Sequence, residues 1–144
     1  MSETKTEKLQ RYLRGIQNMG GVEGSAVVAR NGLIIASSFP KDIDERRFAA
    51  MSATMMGTIE TASALLKNGG LKKIFAETEY ATIVAIGAGP KALLVVSASK
   101  DSNMGMLLLT IEEYAQKIKD VVEGNDDVAN EENDKNDVRS ESKV

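Results

Sequence analysis

Ser97-Ala98-Ser99-Lys100 has the S-x-x-K spacing in which a lysine amine can take a serine hydroxyl's proton and turn that oxygen into a nucleophile. The S-D-N and K-T-G elements that accompany this motif in penicillin-binding folds are missing from the chain. Short patterns also recur by chance, so the segment is expected to be a strand end running into a helix cap. Gly87-Ala88-Gly89-Pro90-Lys91 hints at a phosphate cradle. A P-loop, however, needs G-x-x-x-x-G followed by Lys-Ser/Thr opening a helix, whereas an apolar strand follows here, so a turn is expected. Asp42, Asp44 and Glu45, and the pair Glu112-Glu113, fall in first helical turns or on polar faces, where they serve solvation and the helix dipole rather than acid/base work. With no cysteine and no histidine, the chain lacks thiolate and imidazole chemistry, zinc-finger ligands and Ser-His-Asp triads. The expectation is therefore no catalytic, metal or cofactor-binding residue, and a protein that is not an enzyme.

The 144 residues suffice for one domain with a genuine core. Aromatics are only 4% of the chain, so Val, Ile, Leu, Met and Ala must build that core, and no stacking platform for single-stranded nucleic acid is at hand. Charge is uneven. Residues 123–144 hold eight carboxylates against three cations, a net of −5, which leaves +2 on residues 1–122. The first part is read as the folded domain and the second as an acidic, disordered tail, too polar to offset the entropy of ordering. A near-neutral domain without a basic stripe argues against nucleic acid. The longest apolar run, near Met104 to Leu109, is far below the roughly 20 residues that span a bilayer, and the N-terminus lacks the apolar stretch of a signal peptide. A cytoplasmic location without membrane insertion is expected.

The elements that hold these residues follow from periodicity and punctuation. Thr4-x-x-Glu7 reads as a capping box, with Leu9, Tyr12, Leu13, Ile16 and Met19 at helical spacing behind it and glycines 20 and 21 closing the helix. Two apolar runs, 25–30 and 33–38, flank Asn31-Gly32, the signal for a tight type I′ hairpin with positive φ at both central residues. Pro40 ends the second strand. Asp42-x-x-Glu45 opens a long helix running to about Lys67, where Asn68-Gly69-Gly70 supplies a left-handed stop. Residues 71–77, with charged ends, suit an exposed edge strand; 80–86 and 92–98 are two further strands. Asp101-Ser102-Asn103 can cap a final helix carrying Met104, Leu107, Leu108, Ile111, Ala115, Ile118 and Val122 on one face. The order is α-β-β-α-β-β-β-α, and short connections imply antiparallel pairing. Leu93 to Val96 are apolar at consecutive positions, so both sheet faces must be covered and three layers are expected.

The run from Gly21 to Ser38 around Asn31-Gly32, the small-residue second helix and the late Ala98-Ser99-Lys100-Asp101-Ser102-Asn103-Met104-Gly105 segment agree in order and spacing with one family. From about residue 9 to about residue 119 the chain resembles the Roadblock / dynein light-chain family. The resemblance implies an α+β, three-layer α/β/α profilin-like fold around a five-stranded antiparallel sheet, the second helix on one face and the two terminal helices on the other. It also implies a non-catalytic homodimer that regulates or holds a Ras-like small GTPase. Pure scaffolding of larger complexes is an alternative, and a small-ligand sensor a weaker one, because no His or Cys would anchor a cofactor.

The second helix is apolar on two sides. Phe48, Met51, Met55, Ile59, Ala62 and Leu66 form a stripe expected to cover the sheet; Ala49, Ala50, Ala53, Met56, Gly57 and Ala64 form a smaller one expected to meet a second copy. By the resemblance, the dimer pairs these helices and joins the two 71–77 edge strands, with Ala50, Ala53, Thr54, Gly57, Thr61, Ile74 and Phe75 at the interface. Arg46 and Arg47, early in the helix, are the candidates for contact with the GTPase.

Overall fold

The computed structural model describes residues 3–124. The expected acidic tail, 123–144, lies outside the described residues from position 125 onward. Eight elements follow the expected order: α1 (Lys5–Gln17), β1 (Val22–Ala29), β2 (Ile34–Ser38), α2 (Glu45–Leu65), β3 (Lys73–Glu77), β4 (Ala81–Gly87), β5 (Ala92–Ser99) and α3 (Met104–Val122). The strands form one antiparallel sheet in the order β2-β1-β5-β4-β3. Its central pair joins the first strand to the last, and β2 and β3 are the edges.

Alternation along β5 explains its unbroken apolar run. Leu94 and Val96 point into a cluster with Leu9, Leu13 and Ile16 of α1 and Leu107, Ile111 and Ile118 of α3. Leu93 and Val95 point the other way, toward Ala49, Ala53 and Met56 of α2. Successive strand residues face opposite sides, so a central strand covered by helices on both faces has no polar side to show. Burying each such Leu or Val contributes about 1.5–3 kcal/mol.

Local signals set the helix starts. Thr4 Oγ1 accepts from the Glu7 N–H at 3.0 Å and Glu7 Oε1 accepts from the Thr4 N–H at 2.9 Å, closing the expected capping box. Asn103 caps α3, accepting from the Met106 N–H at 3.2 Å. For α2 the cap is Asp44, accepting from the Arg47 N–H at 3.1 Å, rather than the expected Asp42.

Two turns differ from expectation. The first hairpin is not a two-residue type I′ turn. Ala29 accepts from the Gly32 N–H at 2.8 Å and donates to the Leu33 carbonyl at 2.8 Å, and of the turn residues only Gly32 has positive φ, +93°. This is a three-residue loop, a tight turn over Arg30-Asn31 followed by a left-handed glycine, with Asn31 Oδ1 accepting from the Leu33 N–H at 3.1 Å. At the end of α2, Lys67 itself is left-handed, with φ 57°. The Asn68 N–H reaches the Ser63 carbonyl and the Lys67 N–H that of Ala64, the bond pair of a Schellman stop, so the helix stop itself falls at Lys67, while Gly69 of the expected glycine segment is left-handed as well, with φ +91°.

Candidate protein-interaction surface

The face that α2 turns to the sheet is the small one. Ala49, Ser52, Ala53 and Met56 are buried, whereas Met51 is 59% exposed, Leu65 79% and Leu66 71%. The two stripes are therefore largely exchanged relative to expectation. The reason is the hairpin. A side chain on Gly32 would lie 3.2 Å from the Ala50 Cα, so the β1–β2 turn rests directly on α2 and only Ala50 and Ala53 leave room for it. Ala53, expected at a dimer interface, is instead packed inside the protomer, only 9% exposed. Phe48 and Met55, on the flank away from the hairpin, pack on the same cluster as Ile74 of β3 and Ile83 of β4. Sequence reasoning could not choose between the stripes because α2 is apolar on most sides.

The other expected interface residues divide. Thr54, Gly57 and Thr61 are exposed on α2 and Ala50 is half-buried beneath the hairpin. The Thr54 and Thr61 hydroxyls donate to the Ala50 and Gly57 carbonyls at 2.9 and 3.1 Å, which satisfies them within the helix and leaves methyls outward. A side chain added at Gly57 would meet nothing within 4 Å. Ile74 stands opposite Ala85, on the α2 face of the sheet, but Phe75 stands opposite Val84 and so faces the α1/α3 side, 48% exposed.

The two sheet edges are treated differently, a feature that no sequence pattern announced. On β2, the Gln10 side chain accepts from the Ser37 N–H at 3.0 Å and donates to the Ser37 carbonyl at 3.1 Å, imitating the next strand and blocking that edge. No hydrogen bond described for another element covers the outer edge of β3. The open edge and the apolar flank of α2 thus lie on one side of the molecule.

Arg46 and Arg47 are brought to the hairpin. Together with Asn31, Leu33, Asp44 and Ala50 they line an open groove of about 500 Å³ between the β1–β2 turn and the start of α2. Arg47 Nε lies 3.7 Å from Asp44 Oδ2, both side chains well exposed, and Leu33 is itself exposed. Such a groove offers guanidinium donors beside an apolar tip, suited to a protein surface.

The residues that might have done chemistry are otherwise engaged. The Ser97 hydroxyl donates to Glu23 Oε1 at 3.3 Å, Glu45 Oε1 accepts from the Ser37 hydroxyl at 2.8 Å, and Glu112 pairs with Lys73 at 3.0 Å. Gly87 ends β4 and Ala88 to Lys91 form the β4–β5 turn, in which the Gly89 carbonyl accepts from Arg30 at 3.2 Å. Among the described residues there is no group of three or more potential metal ligands, and no helix is long and apolar enough to cross a membrane.

The sequence profile of the Roadblock/LC7 domain matches residues 8–98. The chain belongs to this family. Three uncharacterized proteins of Methanocaldococcus jannaschii are each 32% identical to this Roadblock domain over 111 residues, 77% of the chain and 93% or 96% of theirs. Among solved structures, Myxococcus xanthus MglB superposes with a TM-score of 0.79 at 18% identity, covering 87% of this chain and 95% of MglB. Acanthamoeba castellanii profilin II superposes with a TM-score of 0.58 at 17% identity, covering 81% and 98%. The sheet order and layering are therefore those of the profilin-like Roadblock fold.

Proposed function

We propose that this Roadblock domain is a non-catalytic homodimer that binds and regulates a Ras-like small GTPase. The observation that carries the reading is the asymmetry of the sheet: Gln10 blocks β2, while β3 is open beside the apolar flank of α2. Two copies that pair β3 with β3 extend one sheet across both protomers and bring the α2 helices together. Met51, Thr54, Gly57 and Thr61 then meet their counterparts, with Ile74 beneath. Small residues and methionines allow the close, adaptable approach such a helix pair needs. The groove of Arg46 and Arg47 lies at the rim of the same helical face and supplies contact with the GTPase.

Light scattering on the purified chain should give a dimer at micromolar concentration. A monodisperse monomer would remove the reading. Candidate Ras-like GTPases, loaded with GDP or a GTP analogue, are then titrated with the full chain. Arg46→Ala and Arg47→Ala should each weaken binding by about 1 kcal/mol or less, the worth of an exposed charge at a rim. Single-turnover hydrolysis at saturation should stay nearly constant. A trans-acting arginine is worth about 10³–10⁵ in rate, so a loss on that scale would identify a catalytic finger instead. Dimers that bind no GTPase would leave an adaptor assembling larger complexes.

A further inference from the structure

On the far side of the sheet from α2, the β4–β5 turn, the start of β3 and the last turns of α3 enclose a groove of about 420 Å³. Its charged lining is Arg30, Lys72, Lys73 and Lys119 against Glu112. Lys73 is paired with Glu112 at 3.0 Å, and Arg30 with Glu60 at 2.8 Å. Lys72 and Lys119 have no ion-pair partner among the described residues, and Arg30 Nε is buried without an acceptor. Glu123 adds one more carboxylate beside Gly89, its Oε2 buried without a donor. Counting Glu60 and Glu123 as well, cations still outnumber carboxylates.

The chain continues from this spot. Lys119 is five residues before Gly124, about 7.5 Å along a helix, and Gly124, with φ +80°, turns the backbone out of α3. The following segment, 125–144, holds seven carboxylates and three cations, starting with Asp126 and Asp127. At about 3.3–3.6 Å per residue, its first few residues already span the distance back to the groove. Tethering also sets the local concentration of these carboxylates near millimolar, so weak attraction is enough for occupancy.

We propose that this groove is a site for acidic peptide and that its resident occupant is the chain's own segment 125–144, docked in cis. The proposal stands apart from the GTPase reading. Because the chain has no cysteine, a single Asn133→Cys substitution in the full chain takes one nitroxide label, read through amide broadening in ¹⁵N spectra. At about 0.01 M salt the amides of Lys72, Gly87, Gly89 and Gln116 should lose most of their intensity. They should regain it at about 1 M salt, where the screening length falls from about 30 Å to about 3 Å. The same recovery is expected in low salt when Asp126, Asp127, Glu131 and Glu132 are replaced by their amides, and when Lys72→Glu and Lys119→Glu are combined. Broadening that ignores salt and charge, as any tethered chain would give, overturns the proposal. So does broadening spread evenly over the surface. Mixing labelled ¹⁴N chain with unlabelled ¹⁵N chain controls for docking in trans: broadening of the groove in that sample overturns the cis assignment.

Discussion

Gly57 sits mid-helix on the outward side of α2 with open space where a side chain would be. Glycine in an exposed helix interior costs about 0.8–1.0 kcal/mol relative to alanine, and nothing within the protomer explains it. Gly57→Ala should therefore raise the unfolding free energy of dilute protein by about that amount in denaturant titrations. If a second helix passes close to this position, the added methyl should weaken self-association by about 1–3 kcal/mol in sedimentation equilibrium. Stability and affinity moving in the same direction would place Gly57 outside the contact. Lys67 is the converse case, a side chain where glycine belongs. A left-handed non-glycine residue costs about 1–2 kcal/mol, so Lys67→Gly should stabilise the fold by about 1 kcal/mol in thermal unfolding. An unchanged or lowered midpoint would show that the lysine side chain compensates. The sequence placed its left-handed stop at Asn68-Gly69-Gly70 because composition marks where glycines are, while helix geometry decides which residue must turn.

At the scale of elements, the strands, the caps on α1 and α3 and the two-sided burial of β5 were legible in the sequence, since each depends on neighbours within a few residues. The face of α2 was not. Its choice rests on Gly32, eighteen positions before Ala50, whose turn admits only a small residue beneath it. Gln10 was likewise invisible, because a glutamine on a helix gains meaning only when a strand edge lies within its reach. Gln10→Ala leaves the Ser37 N–H and carbonyl to water, a loss of about 0.5–1.5 kcal/mol in denaturant unfolding. It also opens a second sheet edge, so the variant should form assemblies larger than the parent in light scattering. A variant of parental size would show that β2 is too short or too twisted to pair without the plug.

For the whole molecule, the groups that matter are on its outside, divided between an open edge with an apolar helix flank, an arginine-lined groove at the hairpin and a basic groove beside α3. The sequence marked the β3 edge and the two arginines, but not the hairpin wall of their groove nor the basic groove beside α3, because those join residues far apart in the chain. The same long-range joining has a cost in time. β1 is an interior strand of the sheet, yet its inner partner β5 ends at Ser99, about seventy residues after β1 ends at Ala29. At synthesis rates of about 5–20 residues per second, the nascent chain holds an unfinished β1–β2 hairpin for about 4–14 s. During that interval Gln10 can already shield the outer edge, but the inner edge, with Val27 and Val28, has nothing to pair with. The newborn protein thus passes several seconds with an apolar strand edge bare, which is the window in which a chaperone, or another unfinished copy on the same message, would find it.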